Sequence, residues 1–470
     1  MKNSLFIILS LLLNLCASAQ IFDVETIENT GDDDKRINLV ILSEGYQVGE
    51  LDKFITDATN FTNAMFSQSP FLEYADYFNI YAIKVPSNQS GADHPATAID
   101  TNETGITPTF VDTYFNATFD AFGYHRYLFY GIDYADAASA EAKIISALAD
   151  NFPNYDQALI LVNTTSYGGT GGEFPMASLS GYDLAIHELG HSLFDLKDEY
   201  YAGDLYVGEA INMTQETNTN LVKWKNWIGT NSIGIYPHGT SGVAATWYKP
   251  RHLNCKMELL NKPFCSVCKE GMVEKIHTLV SPIDSYLPND TSVENPSFPL
   301  NFQLNLINTT TNSLETVWTL NASNFANNET DVSVEETDLT EGINTLTTVV
   351  YDATTLIDLD NHETTHFYTV TWAINYSTLG VEGIVSEAND FSISVFPNPS
   401  NALINFKFES TFNTALKLDI ISMDGKTIAS YTVENSEYFQ INISTWKQGF
   451  YIAKFYTDNT LIANKKLVKN

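Results

Sequence analysis

The feature that most limits what this chain can fold into is a change of texture at Pro282. Between about residues 36 and 195, strand-like runs alternate with helix-like ones. Ile37-Asn38-Leu39-Val40-Ile41-Leu42 reads as a buried strand, and Leu51, Phe54, Ile55, Ala58, Phe61, Thr62 and Met65 recur at helical spacing. Residues 77–85 are strand-like, residues 135–149 are Ala-rich and helical, and residues 157–162 are strand-like again. Such alternation predicts an α/β domain. After Pro282 the helical period vanishes and Asn, Thr and Ser become dense. Phe302, Leu304 and Leu306 alternate with polar residues, as does Tyr368-Thr369-Val370-Thr371-Trp372. This pattern predicts a β-sandwich over residues 284–378. Residues 379–390 read as a linker. Residues 391–470 form a third, all-β region, in which Met423-Asp424-Gly425-Lys426 is a hairpin signal.

The N-terminus gives the compartment. Lys2, the apolar run over residues 5–15 and Ala17-Ser18-Ala19 make a secretory signal peptide over residues 1–19. The run is too short to span a bilayer core of ~30 Å. No later segment is long and apolar enough for a membrane span, so the mature protein is expected to be soluble and exported. The 57 acidic side chains against 24 basic ones leave a net charge of −33. That charge repels phosphate backbones and excludes nucleic-acid binding. An acidic surface of this kind suits an extracellular protein and can hold Ca²⁺. Of the 4 cysteines, Cys16 leaves with the signal peptide, and Cys255, Cys265 and Cys268 remain as an odd set.

His187-Glu188-Leu189-Gly190-His191 carries the chemistry. Histidines at i and i+4 lie ~40° apart on a helix and can share one Zn²⁺. Glu188 projects beside them, where it can take a proton from a zinc-bound water. Ser180 and Asp183 suggest a capping-box start for the helix. A catalytic zinc needs a third protein ligand. The metzincin position for it, ten residues after the first histidine, is Lys197 here, and Phe194 stands where the turn glycine is expected. Asp195, Asp198 and Glu199 are the near candidates, and Glu209 or Glu216 the distant ones. On a continuing helix Asp198 would lie ~16 Å along the axis from His187, so the helix must end first. Asp195 can adopt the left-handed conformation that ends it, which favours Asp198 as the ligand.

Residues 187–201 resemble the IgA peptidase family of zinc metalloendopeptidases, which has H-E-x-G-H-S and an Asp-Glu-Tyr after a short turn. The resemblance extends over about residues 36–280. It includes Ile37 to Tyr46 (INLVILSEGY), Phe78-Asn79-Ile80-Tyr81, Trp224-Lys225-Asn226-Trp227, Asn254-Cys255-Lys256-Met257 and Phe264-Cys265-Ser266-Val267-Cys268. It implies a metzincin-like catalytic domain over residues 20–283, with Met257 in a Met-turn. It carries no substrate with it. Phe396-Pro397-Asn398-Pro399, Gly449-Phe450-Tyr451 and the Lys-rich last strand resemble the C-terminal sorting domain of the type IX secretion system. That implies the type IX machinery as a partner and export across an outer membrane, to the medium or the cell surface.

For the three cysteines the leading expectation is one disulfide plus a free thiol. The alternative is a structural zinc held with His252. The Gly168-Gly169-Thr170-Gly171-Gly172 loop lacks a P-loop ending and reads as a permissive loop beside the substrate cleft. Tyr200 and Tyr201 are unranked candidates for the oxyanion helper. The expected function is a secreted zinc-dependent endopeptidase acting on protein or peptide, with one catalytic Zn²⁺ on His187, His191 and Asp198, and Glu188 as base. Two rivals stand beside it: an exported adhesin or glycan-binding protein on a zincin scaffold, and a zinc hydrolase of a non-peptide bond. The intact Glu188 counts against an inactive scaffold.

Overall fold

The computed structural model describes residues 21–294, 296–360, 362–377, 393–408, 415–423, 425–434, 436–457 and 460–470. The signal-peptide segment and the expected linker lie outside the described residues, as does Asp424 of the hairpin signal. Chain contacts divide the molecule into two units. One takes in the chain up to Val293, Ser297–Leu339 and Asn344–Ile374; the other takes in Glu294–Pro296, Thr340–Ile343 and Asn375–Asn470.

The N-terminal region is built on a six-stranded mixed sheet. Its strands are β1 (Val24–Glu28), β2 (Ile37–Glu44), β3 (Phe78–Ile83), β4 (Gln157–Val162), β5 (Gly169–Thr170) and β6 (Met176–Ser178), in the order β1-β3-β2-β4-β6-β5. β2, β3, β4 and β6 run parallel, and the edge strands β1 and β5 are antiparallel to their neighbours. β2 is buried at every position, as a central strand covered on both faces must be. Its odd side chains, among them Ile37, Leu39 and Ile41, enter one core, and Val40 and Leu42 enter the other. Helix α1 (Leu51–Phe66) turns Phe54, Ala58, Phe61, Thr62 and Met65 into the first core. Each buried aromatic or methionine there removes enough apolar area to stabilise by about 2 kcal/mol. Helix α2 (Tyr134–Asn151) covers the other face. It is capped by Asp133, whose carboxylate accepts from the N–H groups of Ala135 and Asp136.

Helix α3 (Tyr182–Ser192) lies beneath this sheet's β5–β6 end. Its start differs from the capping box expected at Ser180 and Asp183. Gly181 occupies the cap with no side-chain bond, Ser180 donates to the Thr165 carbonyl, and Asp183 pairs with Lys256. Tertiary partners outcompete the local cap. Helix α4 (Ser266–Leu279) has no counterpart in the sequence reading. Seven of its residues are buried, including the polar Glu270 and His277, and this blurs the apolar period.

The residues after Pro282 form antiparallel sheets. A three-stranded sheet has the order Asp331–Val334, Leu300–Leu306, Ile283–Leu287, and a five-stranded sheet faces water with alternate residues. Trp318 and Trp372 stack inside it at 5.8 Å between centroids. This part is fastened to the N-terminal region by polar groups. Asp352 accepts from Tyr74 Oη at 2.6 Å and from His277 Nε2 at 2.9 Å, with the His277 and Asp352 side chains fully buried. Glu274 of α4 meets both His362 and His366.

The C-terminal unit has a three-stranded sheet (Ile393–Phe396, Leu403–Phe408, Tyr438–Asn442) and a four-stranded one (Thr427–Val433, Leu416–Ser422, Gly449–Thr457, Thr460–Lys469). Phe406, Phe408 and Phe455 join one core. The side chain of Asn398 bonds Lys466 O and Val468 N, both at 2.7 Å, so the Pro-Asn-Pro loop is tied to the last strand.

Candidate metal centre

Helix α3 carries His187 and His191 one turn apart and ends directly after them. Asp195 takes φ 57°, its N–H donates to His191 O at 3.0 Å, and Leu196 N–H reaches back to Gly190 O at 3.0 Å. This left-handed cap reverses the chain. The reversal brings Asp198 back beside the histidines, where a continued helix would have carried it away.

Three atoms converge there. Asp198 Oδ1 lies 3.1 Å from His187 Nε2 and 3.1 Å from His191 Nε2, and the two Nε2 atoms are themselves 3.1 Å apart. The other ring nitrogens face backbone carbonyls: His187 Nδ1 bonds Lys256 O at 3.0 Å, and His191 Nδ1 bonds Leu196 O at 2.7 Å. A carbonyl only accepts, so each Nδ1 carries a proton, and each Nε2, once it gives up its own proton, can offer a lone pair to a metal beside Asp198. Two imidazole nitrogens and a carboxylate oxygen at such distances are held together by shared protons or by a metal cation. Tetrahedral ligation by nitrogen and oxygen at ~2.0–2.1 Å gives ligand–ligand edges of this size. The donor set therefore fits a divalent metal such as Zn²⁺.

The electrostatics agree. Burial opposes charge on His191, but the Asp198 carboxylate and Glu188 outweigh it and push the metal-free imidazole up to about 8. Asp198 is buried as well, yet the bonds from both histidines hold its carboxyl well below the usual range. A field that attracts a proton so strongly also attracts a metal ion. Burial lifts the Glu188 carboxyl above its ordinary value, and the two histidines offset this only in part.

The other candidates go elsewhere. Asp195 is exposed and pairs with Lys275, Glu209 pairs with Lys223, and Glu216 accepts from Asn218 N. Glu199 is fully buried and turns away from the histidines toward the cysteines. Met257 sits in a turn under α3, with its sulfur 2.9 Å from where a Cβ on Gly190 would lie. Its carbonyl accepts from Glu199 N, and the neighbouring Lys256 carbonyl holds His187. The two tyrosines separate. Tyr200 stacks near His187 at 6.3 Å between centroids, whereas Tyr201 lies against His238 at 6.5 Å. Among the described residues Cys255, Cys265 and Cys268 are free, with Cys255 Sγ and Cys268 Sγ 3.6 Å apart, beyond a bond of ~2.05 Å, in place of the expected disulfide. His252 is exposed and faces Glu258 instead of the thiols.

Two residues near the centre, Tyr127 and His238, escape a sequence reading, and Gly171, read as part of a permissive loop, gains a specific reason. Gly171 passes so close to Glu188 that a Cβ there would meet Glu188 Oε2 at 2.1 Å. The glycine in the loop is thus set by steric approach. Tyr127 is exposed, yet partial desolvation and the charges of Glu188 and Asp198 raise its pKa. His238 is buried, and among the described residues its Nδ1 has no hydrogen-bond partner. Tyr127 and His238 lie tens of residues from the H-E-x-x-H motif, and the glycine-rich loop does not itself say which of its glycines approaches Glu188.

Residues 25–237 match the family described as IgA Peptidase M64, and residues 394–470 match the secretion system C-terminal sorting domain. No curated protein matches the chain. Among solved structures, dimeric latent PorU from Porphyromonas gingivalis is 14% identical, with 40% of this chain and 20% of that one covered at a TM-score of 0.15. A β-glucuronidase from Parabacteroides merdae is 8% identical, with 47% and 28% covered and the same score of 0.15. The chain thus spans under a third of each, and at these scores neither bears on its fold or function.

Proposed function

We propose, from the match of residues 25–237 to the IgA peptidase M64 family and of residues 394–470 to a secretion sorting domain, that the chain is an exported zinc endopeptidase whose metal is held by His187, His191 and Asp198. The observation that carries this reading is the triangle of two imidazole nitrogens and one carboxylate oxygen, each edge 3.1 Å. When bound, Zn²⁺ would lower the pKa of the attacking water and polarise the scissile carbonyl.

The remaining work falls to the chain's own groups. Glu188 takes the proton of the attacking water and hands it to the leaving amine, and its burial-raised pKa suits both halves of that transfer. Gly171 leaves the carboxylate room to stand in place. Tyr200 is the nearer tyrosine and is proposed to donate to the developing oxyanion. β5 is an antiparallel edge strand two residues long beside α3, and a substrate backbone can add to it as a further strand. Met257 is proposed as the floor of the site, the Met-turn that the family resemblance implies. For the rest of the chain, we assign residues 20–283 to the peptidase, 284–378 to an Ig-like sandwich and 391–470 to the sorting domain.

The test is peptide-library cleavage by purified protein with and without a chelator, paired with metal analysis. Cleavage that stops on chelation and returns with Zn²⁺ supports the proposal. Cleavage indifferent to chelation, or a protein that binds no metal at the histidines, overturns it.

A further inference from the structure

We propose that the chain holds a second, structural Zn²⁺ on Cys255, Cys265, Cys268 and the carboxylate of Glu199. One ligand atom from each of these four side chains lies within 4.8 Å of all the others, and all four residues are buried. The separations match a tetrahedral site. With Zn–S of ~2.3 Å and Zn–O of ~2.0 Å, S···S edges come to about 3.8 Å and S···O edges to about 3.5 Å. Here Cys255 Sγ and Cys268 Sγ are 3.6 Å apart, and Glu199 Oε1 lies 3.1 Å from Cys268 Sγ and 4.0 Å from Cys265 Sγ.

The surroundings are those of a metal site rather than a core. Glu199 is 0% exposed, and among the described residues its Oε2 has no hydrogen-bond partner. An ionised carboxylate buried among three thiols is costly unless a cation shares the pocket. Asn212 Nδ2 donates to Glu199 Oε1 at 3.1 Å and holds the carboxylate in orientation, as groups behind metal ligands do. Cys265 N–H points at Cys255 Sγ at 3.4 Å. Cys265 and Cys268 flank the first turn of α4, where backbone N–H groups favour thiolates. The buried Lys249 ammonium pairs with Glu258 and donates to the Glu199 carbonyl, which fixes the backbone that carries the carboxylate.

Cysteine arithmetic points the same way. A disulfide in an exported protein would use two thiols and strand a buried third, whereas a metal uses all three. The centre also has a structural purpose. It joins α4, the turn that carries Met257, and the segment that carries Asp198, and the Glu199 N–H is bonded to Met257 O at 2.7 Å.

The experiment counts metals on the purified full chain and on a His187→Ala/His191→Ala variant, then records zinc X-ray absorption on that variant. The expected result is two zinc ions in the wild type and one in the variant. The ion retained by the variant should show three sulfur neighbours at ~2.3 Å. Co²⁺ loaded into the stripped variant should give a thiolate-to-cobalt charge-transfer band. A Cys268→Ser change on the same background should remove the retained ion, but the spectrum of the unsubstituted cysteine set decides even if that change impairs folding. A variant that binds no zinc, retained zinc with only nitrogen and oxygen neighbours, or a native thiol titration showing one disulfide overturns the proposal. A single, sulfur-ligated ion in the wild type as well as in the variant would instead overturn the proposed active site and leave this centre standing.

Discussion

Asp198 and Glu199 are neighbours in sequence and serve two different clusters. Asp198 closes a centre whose other members, His187 and His191, lie on one helix and eleven residues or fewer away. Glu199 faces thiols that are 56 to 69 positions further along the chain, on a turn and on the start of α4. The first cluster is open on one side, with His191 part-exposed and Glu188 alongside; the second is closed, every member buried. The contrast teaches how a fold divides metal chemistry: a centre meant to react keeps a free position, and one meant to hold the chain keeps none.

The largest expected effect tests that division directly. Asp198→Ala should strip the histidine centre of its metal and abolish cleavage, while the cysteine centre stays loaded; metal counting with activity checks it. A protein that loses both ions at once would show that the two clusters are one unit and break the contrast. Next, Glu188→Gln should keep both metal contents and lower turnover by roughly 10²–10⁴. Normal turnover in that variant would place the base elsewhere.

Gly171→Ala should come third. The new methyl displaces the Glu188 carboxylate end, which can swing at little cost in stability, so the melting temperature should hold while kcat falls by about 10². An unchanged kcat would mean that Glu188 works from another rotamer. The fourth concerns the junction at the C-terminal end of α4. Asp352→Ala removes the acceptor of Tyr74 and of the fully buried His277, and should cost about 3 kcal/mol by denaturant unfolding with kcat unchanged. A loss of activity in proportion would tie that junction to the active site. The smallest effect belongs to Asp195→Gly. Glycine accepts φ 57° without strain, and the exposed pair with Lys275 contributes little, so metal content should hold and stability change by under about 1 kcal/mol.

Much of the N-terminal region was legible beforehand, and the reason is local. β2, β4, α1 and α2 each bury a face or a whole strand against one sheet, and burial of that kind writes a period into the sequence. The misses follow from the same physics. β5 and β6 are two and three residues long, too short to show a period. α4 buries Glu270 and His277 among its apolar residues and so hides its face. The start of α3 was misread because Ser180 and Asp183 found partners across the fold, which no neighbouring residue announces.

The histidine pair, its adjacent glutamate and the need for a chain reversal before Asp198 all follow from the residues alone, because helix geometry converts residue spacing into distance. So does the break at Pro282, since the period of side-chain burial changes there from helix to strand. Tertiary structure alone decided that Gly171 must be small, that Tyr200 and not Tyr201 faces His187, and that Glu199 rather than His252 stands with the cysteines. Those outcomes depend on separate segments arriving at one place, and such meetings are set by how helices and strands pack, which spacing along the chain does not encode.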